Sequence, residues 1–317
     1  MTFTGRARFP HRAVLAGTTV VTALVAMTAC SSDGDGGAAA TGDTRTFTYR
    51  DVSVDIPTDP QRVVCIETRL CPEFAEITGM NLVATPDLDG DSSIVYDKLP
   101  DSVELFHFHA AQPEALATFD PDLVMTTSAW FDTYDSEVQE RLEGIAPVLP
   151  LAGDIEDTRG EDWLQILTDQ ADQLGKRAEA EQSIDEYKAT VDEVSKVVGA
   201  DGKTAAAVVL SDDQFGIIDD SLSNKVLEDL GFTLLTRSDS VEADGSVHMY
   251  SKENLSILQD ADVIFVQNPD EAMHDDVLWK KLPAVAAGKA PALSYYHRSG
   301  LTIAGANFAE YVAEQLG

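Results

Sequence analysis

KRAEAEQSIDEYKATVDEVSKVV, residues 176–198, decides how the rest of the chain is read. Ala178, Ile184, Tyr187, Val191, Val194 and Val198 recur in steps built of three and four, the signature of one apolar helix face. Arg177, Glu179, Glu181, Asp185, Glu186, Lys188, Asp192, Glu193 and Lys196 occupy the other face. At the ~1.5 Å rise of an α-helix the ends stand about 33 Å apart. The stretch lies near the middle of the chain, and both flanking halves read as strands alternating with helices. A long helix between two α/β halves predicts two lobes on a stiff bridge.

Working outward, the first half alternates over 47–56, which reads as a lead-in strand, followed by a turn-rich break and a strand at 62–66. Helix 72–77, strand 82–84, a helix ending at 116–119, strand 122–126, helix 138–142, an extended piece at 147–151 and helix 162–174 follow. Gly175 either ends that last helix or kinks it into the long one. The second half repeats the rhythm with strands 204–210, 232–235, 263–266 and 292–293 and helices 224–230, 251–258 and 303–316. Strands separated by helices predict mostly parallel, Rossmann-like sheets covered on both faces, with any ligand outside the carboxyl ends of the strands.

The first 29 residues read as an export signal. Arg6, Arg8, His11 and Arg12 precede a mostly apolar run, 13–29, that is short for a membrane span. Met27-Thr28-Ala29-Cys30 has the form of a bacterial lipobox, which makes Cys30 the lipidated first residue of the mature chain. Residues 30–45, rich in Gly, Ala, Ser and Asp, read as a flexible tether. The expected divisions are then 46–160 for the first lobe, 161–198 for the helices that include the bridge, and 199–317 for the second lobe.

The whole chain holds 22 Lys+Arg against 55 Asp+Glu. Three of those arginines and no acid precede Cys30, which leaves 19 against 55, or −36, after cleavage. Such a surface repels nucleic acid and anionic headgroups. The 44% apolar content still supports packed cores. Cys65 and Cys71 remain in an exported chain, either bridged around the 67–70 loop or as two buried thiols; an oxidising compartment favours the bridge.

Five stretches, in order, give the chain a family resemblance: IPTDPQRVV (56–64), EALATFDPDLV (114–124), LGKRAEAE (174–181), SKENL with DADVIFV (251–255 and 260–266), and WKKLPAVAAG (279–288). Together they resemble the solute-binding lipoproteins of bacterial ABC importers for ferric siderophores, haem and vitamin B12. The resemblance covers nearly everything after Arg45. It implies two lobes around a cleft, a bridging helix that permits only small hinge motion, a monomer anchored outside the cytoplasm by its lipid, and a permease partner. It also implies that Glu114 and Glu253, matching helix-start acids in the two lobes, dock on that permease. Acids favoured at a helix start by its dipole are the alternative explanation.

Cleft residues are expected just after strands and at helix starts. The ligand-binding candidates are Arg69, Phe108, Trp130, Tyr134, Arg237, Tyr250, Tyr296 and Arg298. Phe108 and Trp130 lie near positions where the resembling vitamin-binding proteins place aromatic walls. Aromatic faces suit a bulky, partly apolar metal chelate, and arginines suit its oxygens. Trp279 reads as packing. His107 and His109 alternate and could ligate Zn²⁺ or Mn²⁺ on a strand face, although no second histidine cluster lies nearby in sequence.

No G-x-S-x-G elbow, P-loop or H-E-x-x-H is present, so a carrier rather than an enzyme is expected, with no intrinsic cofactor. Few basic groups face the expected cleft, which favours a neutral or cationic hydroxamate-type Fe(III)-siderophore over a catecholate. Haem or cobalamin is the alternative ligand. A secreted Zn/Mn-binding protein or hydrolase using His107 and His109 is the alternative of another class, and a ligand sensor is a further one.

Overall fold

The computed structural model describes residues 43–87, 94–107, 113–153, 155, 158, 161–236, 247–269 and 271–317. Cys30, Phe108, His109 and Arg237, and with them the signal and most of the tether, lie outside the described residues.

The chain opens with β1 (Thr44–Tyr49) and β2 (Val52–Pro57), an antiparallel hairpin where a single strand over 47–56 was expected. The pattern hid the reversal because its two-residue turn contains no Gly or Pro; Arg50 takes a positive φ of 51° instead. The hairpin begins at Thr44, inside the stretch expected to be tether. Then come β3 (Val63–Cys65), α1 (Leu70–Thr78), β4 (Leu82–Pro86), β5 (Glu104–Phe106), β6 (Leu123–Thr127), α2 (Ser128–Phe131), α3 (Ser136–Glu143), β7 (Val148–Leu151) and α4 (Trp163–Gln173). The first sheet runs β5-β4-β3-β6-β7 and is wholly parallel.

Gly175, at φ 72°, ends α4 rather than kinking it, and the bridge α5 (Arg177–Val198) follows. Its apolar face is divided between two cores. Ala180 and Ile184 pack with Phe74, Leu123, Leu149 and Leu167 of the first lobe. Tyr187, Val191, Val194 and Val198 pack with Ala205, Val226, Phe265 and Phe308 of the second.

The second lobe is built from β8 (Thr204–Leu210), β9 (Gln214–Ile218), α6 (Leu222–Asp229), β10 (Thr233–Leu234), β11 (Val247–Ser251), β12 (Val263–Gln267), α7 (Pro283–Ala286) and α8 (Thr302–Leu316). Its sheet is mixed. β8 pairs in parallel with β10 and β12, but β9 runs antiparallel to both β8 and β11. The short link Ser211-Asp212-Asp213 cannot carry a parallel crossover, so it folds back as a hairpin, with the Ser211 amide bonded to the Gln214 carbonyl at 3.0 Å. The expected strand at 292–293 is a single bridge from Ala292 to Val266. The expected helices around 116–119 and 251–258 are 3₁₀ segments, Pro113–Phe119 and Lys252–Leu258.

Two of the resemblance motifs have a structural reason. The Asp122 carboxylate accepts from the Gln61 and Arg62 amides at 2.7 and 2.9 Å, and Asp262 accepts from the Thr204 amide at 2.8 Å. Each aspartate therefore pins the start of one parallel strand to its neighbour, once per lobe. Among the described residues no helix is long and apolar enough to cross a membrane.

Candidate functional site

The carboxyl end of β3 opens into Ile66-Glu67-Thr68-Arg69, and Cys65 and Cys71 are joined by a disulfide across that turn. The Glu67 carboxylate accepts from the Arg69 and Cys71 amides at 2.8 and 3.0 Å, which ties down the start of α1. Burial raises the Glu67 carboxyl, and the Arg69 guanidinium and the neighbouring amides pull it back. Arg69 is thereby held half-buried at the mouth of the turn.

The same end of the sheet carries three aromatic groups. Tyr96, between β4 and β5, bonds Thr85 at 3.2 Å and the Pro86 carbonyl. Trp130 follows β6 on α2 and is 46% exposed. Its indole N–H donates to the Tyr134 hydroxyl. Burial, with Glu67 adding a smaller push, raises both phenols, Tyr134 to about 12. Both therefore stay protonated at neutral pH and offer O–H donors rather than phenolate ligands.

The second wall comes from the segment 294–300 and the end of β12. Arg298 reaches Gln267 at 3.4 Å. Tyr296 packs edge-on against His297, centroids 4.7 Å apart. His297 is buried, bonds Asn307 at 2.9 Å and rests against Phe308 and Tyr311, and burial lowers its pKa. It belongs to the packing of α8 and is not presented as an iron ligand. Tyr250, on β11, stacks on Phe215 at 5.4 Å and meets His248 at 4.6 Å. The walls meet where Arg69 lies over the Tyr295 ring, 4.8 Å from its centroid.

Among the sequence candidates, the structure groups Arg69, Trp130 and Tyr134 on the first wall and Tyr296 and Arg298 on the second. Glu67 and Tyr295 belong to the runs that the sequence marks as cleft-lining, 67–69 and 295–298; Tyr96 and Gln267 do not. Gln267 carries a usable signal, since it sits at the carboxyl end of an apolar strand; Tyr96 carries none. Glu114 is exposed and held by Arg141 in a two-pronged pair, both contacts 2.6 Å. Glu253 is exposed at the matching position of the other 3₁₀ segment. Trp279 is fully buried. His107 is exposed after β5, and among the described residues no group of three His, Cys, Asp or Glu side chains forms a metal-ligating cluster.

Two lobes on one continuous helix, meeting where Arg69 lies over the Tyr295 ring, have the architecture of a solute-binding protein of the helix-bridged type. The family model described as periplasmic binding protein matches residues 73–293, and the chain belongs to that family of extracytoplasmic solute-binding proteins. No curated protein matches the sequence. Among solved structures, it is similar to the periplasmic binding protein component of a Fep/Fec-like ferrichrome ABC transporter from Bacillus subtilis, at 21% identity and a TM-score of 0.67 over 83% of this chain and 99% of that one. It is similar to the siderophore-binding protein FhuD from Vibrio cholerae, solved with Fe3+-Desferal bound, at 21% identity and a TM-score of 0.64 over 81% and 97% of the two chains. The siderophore periplasmic binding protein from the fuscachelin gene cluster of Thermobifida fusca is 26% identical, with a TM-score of 0.58 over 82% and 98%.

Proposed function

We propose that this protein captures a ferric siderophore between its lobes and delivers it to the permease of an ABC importer. The observation that carries the reading is the contact at the junction, where Arg69 of the first lobe lies over the Tyr295 ring of the second. The siderophore relatives from Bacillus, Vibrio and Thermobifida support the ligand class. Phe108, Arg237 and Tyr250 complete the proposed ligand set. A protonated phenol at Tyr134 suits the carbonyl and hydroxamate oxygens of a neutral or cationic chelate. Glu114 and Glu253 are the proposed docking carboxylates, and lipid on Cys30 the proposed anchor.

The test is quenching of tryptophan fluorescence by ferrioxamine B, a ferric catecholate, haem and cobalamin in parallel. Ferrioxamine B should bind tightest. A Soret band with haem, or binding of cobalamin alone, would replace the siderophore reading. Binding of none of the four would end it. Replacing Cys30 by Ser should move the protein from the membrane fraction to the soluble one if the anchor is lipid.

A further inference from the structure

We infer that Glu73 is a positioning residue for ligand capture: its carboxylate, carried by the first lobe, caps the second lobe's α8 and so fixes the spacing of Arg69 and Arg298. The inference rests on the reading that the junction between the lobes binds a chelate. Glu73 lies on α1, four residues beyond Arg69, and is fully buried. One carboxylate oxygen accepts from the Leu301 amide at 2.7 Å, and the other accepts from the Ile303 and Ala304 amides at 2.8 and 2.9 Å.

Those three amides are orphan donors at the start of α8, where Leu301 stands at the N-cap position and offers no side-chain acceptor. A helix end left this way in the interior is costly, so α8 depends on an acid from the opposite lobe. The chain makes room for it. Gly300 adopts φ 153°, and a Cβ there would stand 2.8 Å from the Glu73 oxygen and 2.5 Å from Ala304 Cβ. Only glycine admits the carboxylate at that distance. Ser183 on α5 bonds the Thr302 hydroxyl at 2.6 Å, so the first turn of α8 is also tied to the bridge. Lys98 is the charged side chain that acts on Glu73 from outside α1.

Arg69 stands at the N-cap of α1, and Arg298 lies four positions before the first residue of α8. The Glu73 clasp thus joins the two arginines through a short covalent and hydrogen-bonded route. Loosening it frees the walls to move relative to each other without disturbing either sheet.

The experiment compares full-length wild type with Glu73→Gln, which keeps the shape, and Gly300→Ala, which crowds the carboxylate from the other side. Without ligand, hydrogen exchange at the Leu301, Ile303 and Ala304 amides should accelerate in both variants while the α5 amides stay protected. Spin labels at exposed Glu104 and Gln259 should report a broader interlobe distance. Affinity for ferrioxamine B should fall about tenfold or more, the scale of one lost charge-assisted hydrogen bond. A purely structural role would move the melting temperature alone. Unchanged exchange and an unchanged distance overturn the clasp. Faster exchange with unchanged affinity, for a chelate that wild type binds, overturns the positioning role. If wild type binds no chelate, the carrier reading fails and the ligand half of this inference fails with it, while the exchange result still decides the clasp.

Discussion

Arg69 is one of the side chains at which the lobes touch. Its guanidinium is steadied by Glu67 below and faces the Tyr295 ring opposite. Replacing it by Ala should weaken ferrioxamine B binding about tenfold or more, since 1.4 kcal/mol is a factor of ten, with little change in the melting temperature. Titration calorimetry and thermal melts on the same preparation check both halves. Glu73 sets a pH dependence of a different kind. Burial holds it at about 7 against 4.5 for an unperturbed carboxyl. Its contribution to stability is therefore fully present below about 4.5 and is lost as pH rises through about 7. The span corresponds to about 3 kcal/mol, and Glu73→Gln should flatten that part of the stability profile. Urea denaturation between pH 4.5 and 8 reads it; a wild-type profile as flat as the variant's would show that the carboxyl is not destabilised by its burial.

The element that organises the molecule is α5, and its sequence announced both its length and its apolar face. The periodic pattern could not show that the face is shared by two cores. Ile184 packs into the first and Tyr187, one turn later, into the second. Ile184→Ala should cost about 2–5 kcal/mol, the usual range for emptying a buried branched aliphatic site. Because the residue stands at the boundary between the cores, both lobes should melt earlier, which calorimetry detects as one shifted transition; destabilisation of the first lobe alone would separate the lobes energetically. The elements that sequence reading missed share one cause. The β1–β2 turn and the β8–β9 hairpin link are built from Arg, Asp and Ser, without the Gly and Pro that usually punctuate such reversals. The 3₁₀ segments look helical by composition, which does not separate a 3₁₀ from an α hydrogen-bond pattern.

At the scale of the whole molecule, a carrier must present its loaded state to a partner. Glu114 and Glu253 occupy corresponding places in the two lobes, and Glu114 is oriented by Arg141. Replacing both with Ala should abolish most uptake of labelled chelate in cells while leaving affinity in solution unchanged. Normal uptake in the double variant would remove them as docking groups. Much of this organisation was legible in the chain. The long amphipathic helix, the alternation of strands with helices on either side, and the acid-rich surface follow from local periodicity and composition, which depend only on near neighbours. The aspartates of DPDLV and DADVIFV were visible as motifs as well, because each bonds strand starts that the local pattern already places side by side. What only the tertiary structure decided are the pairings between distant residues: Tyr295 over Arg69, Tyr96 beside the β4 end, and Glu73 on the first turn of α8. Nothing in the neighbourhood of Glu73 in the sequence marks it as a cap, because the helix it caps starts more than two hundred residues later. Such partners are chosen by how the two lobes dock along the bridge, and docking is a property of packed surfaces rather than of any one stretch of chain.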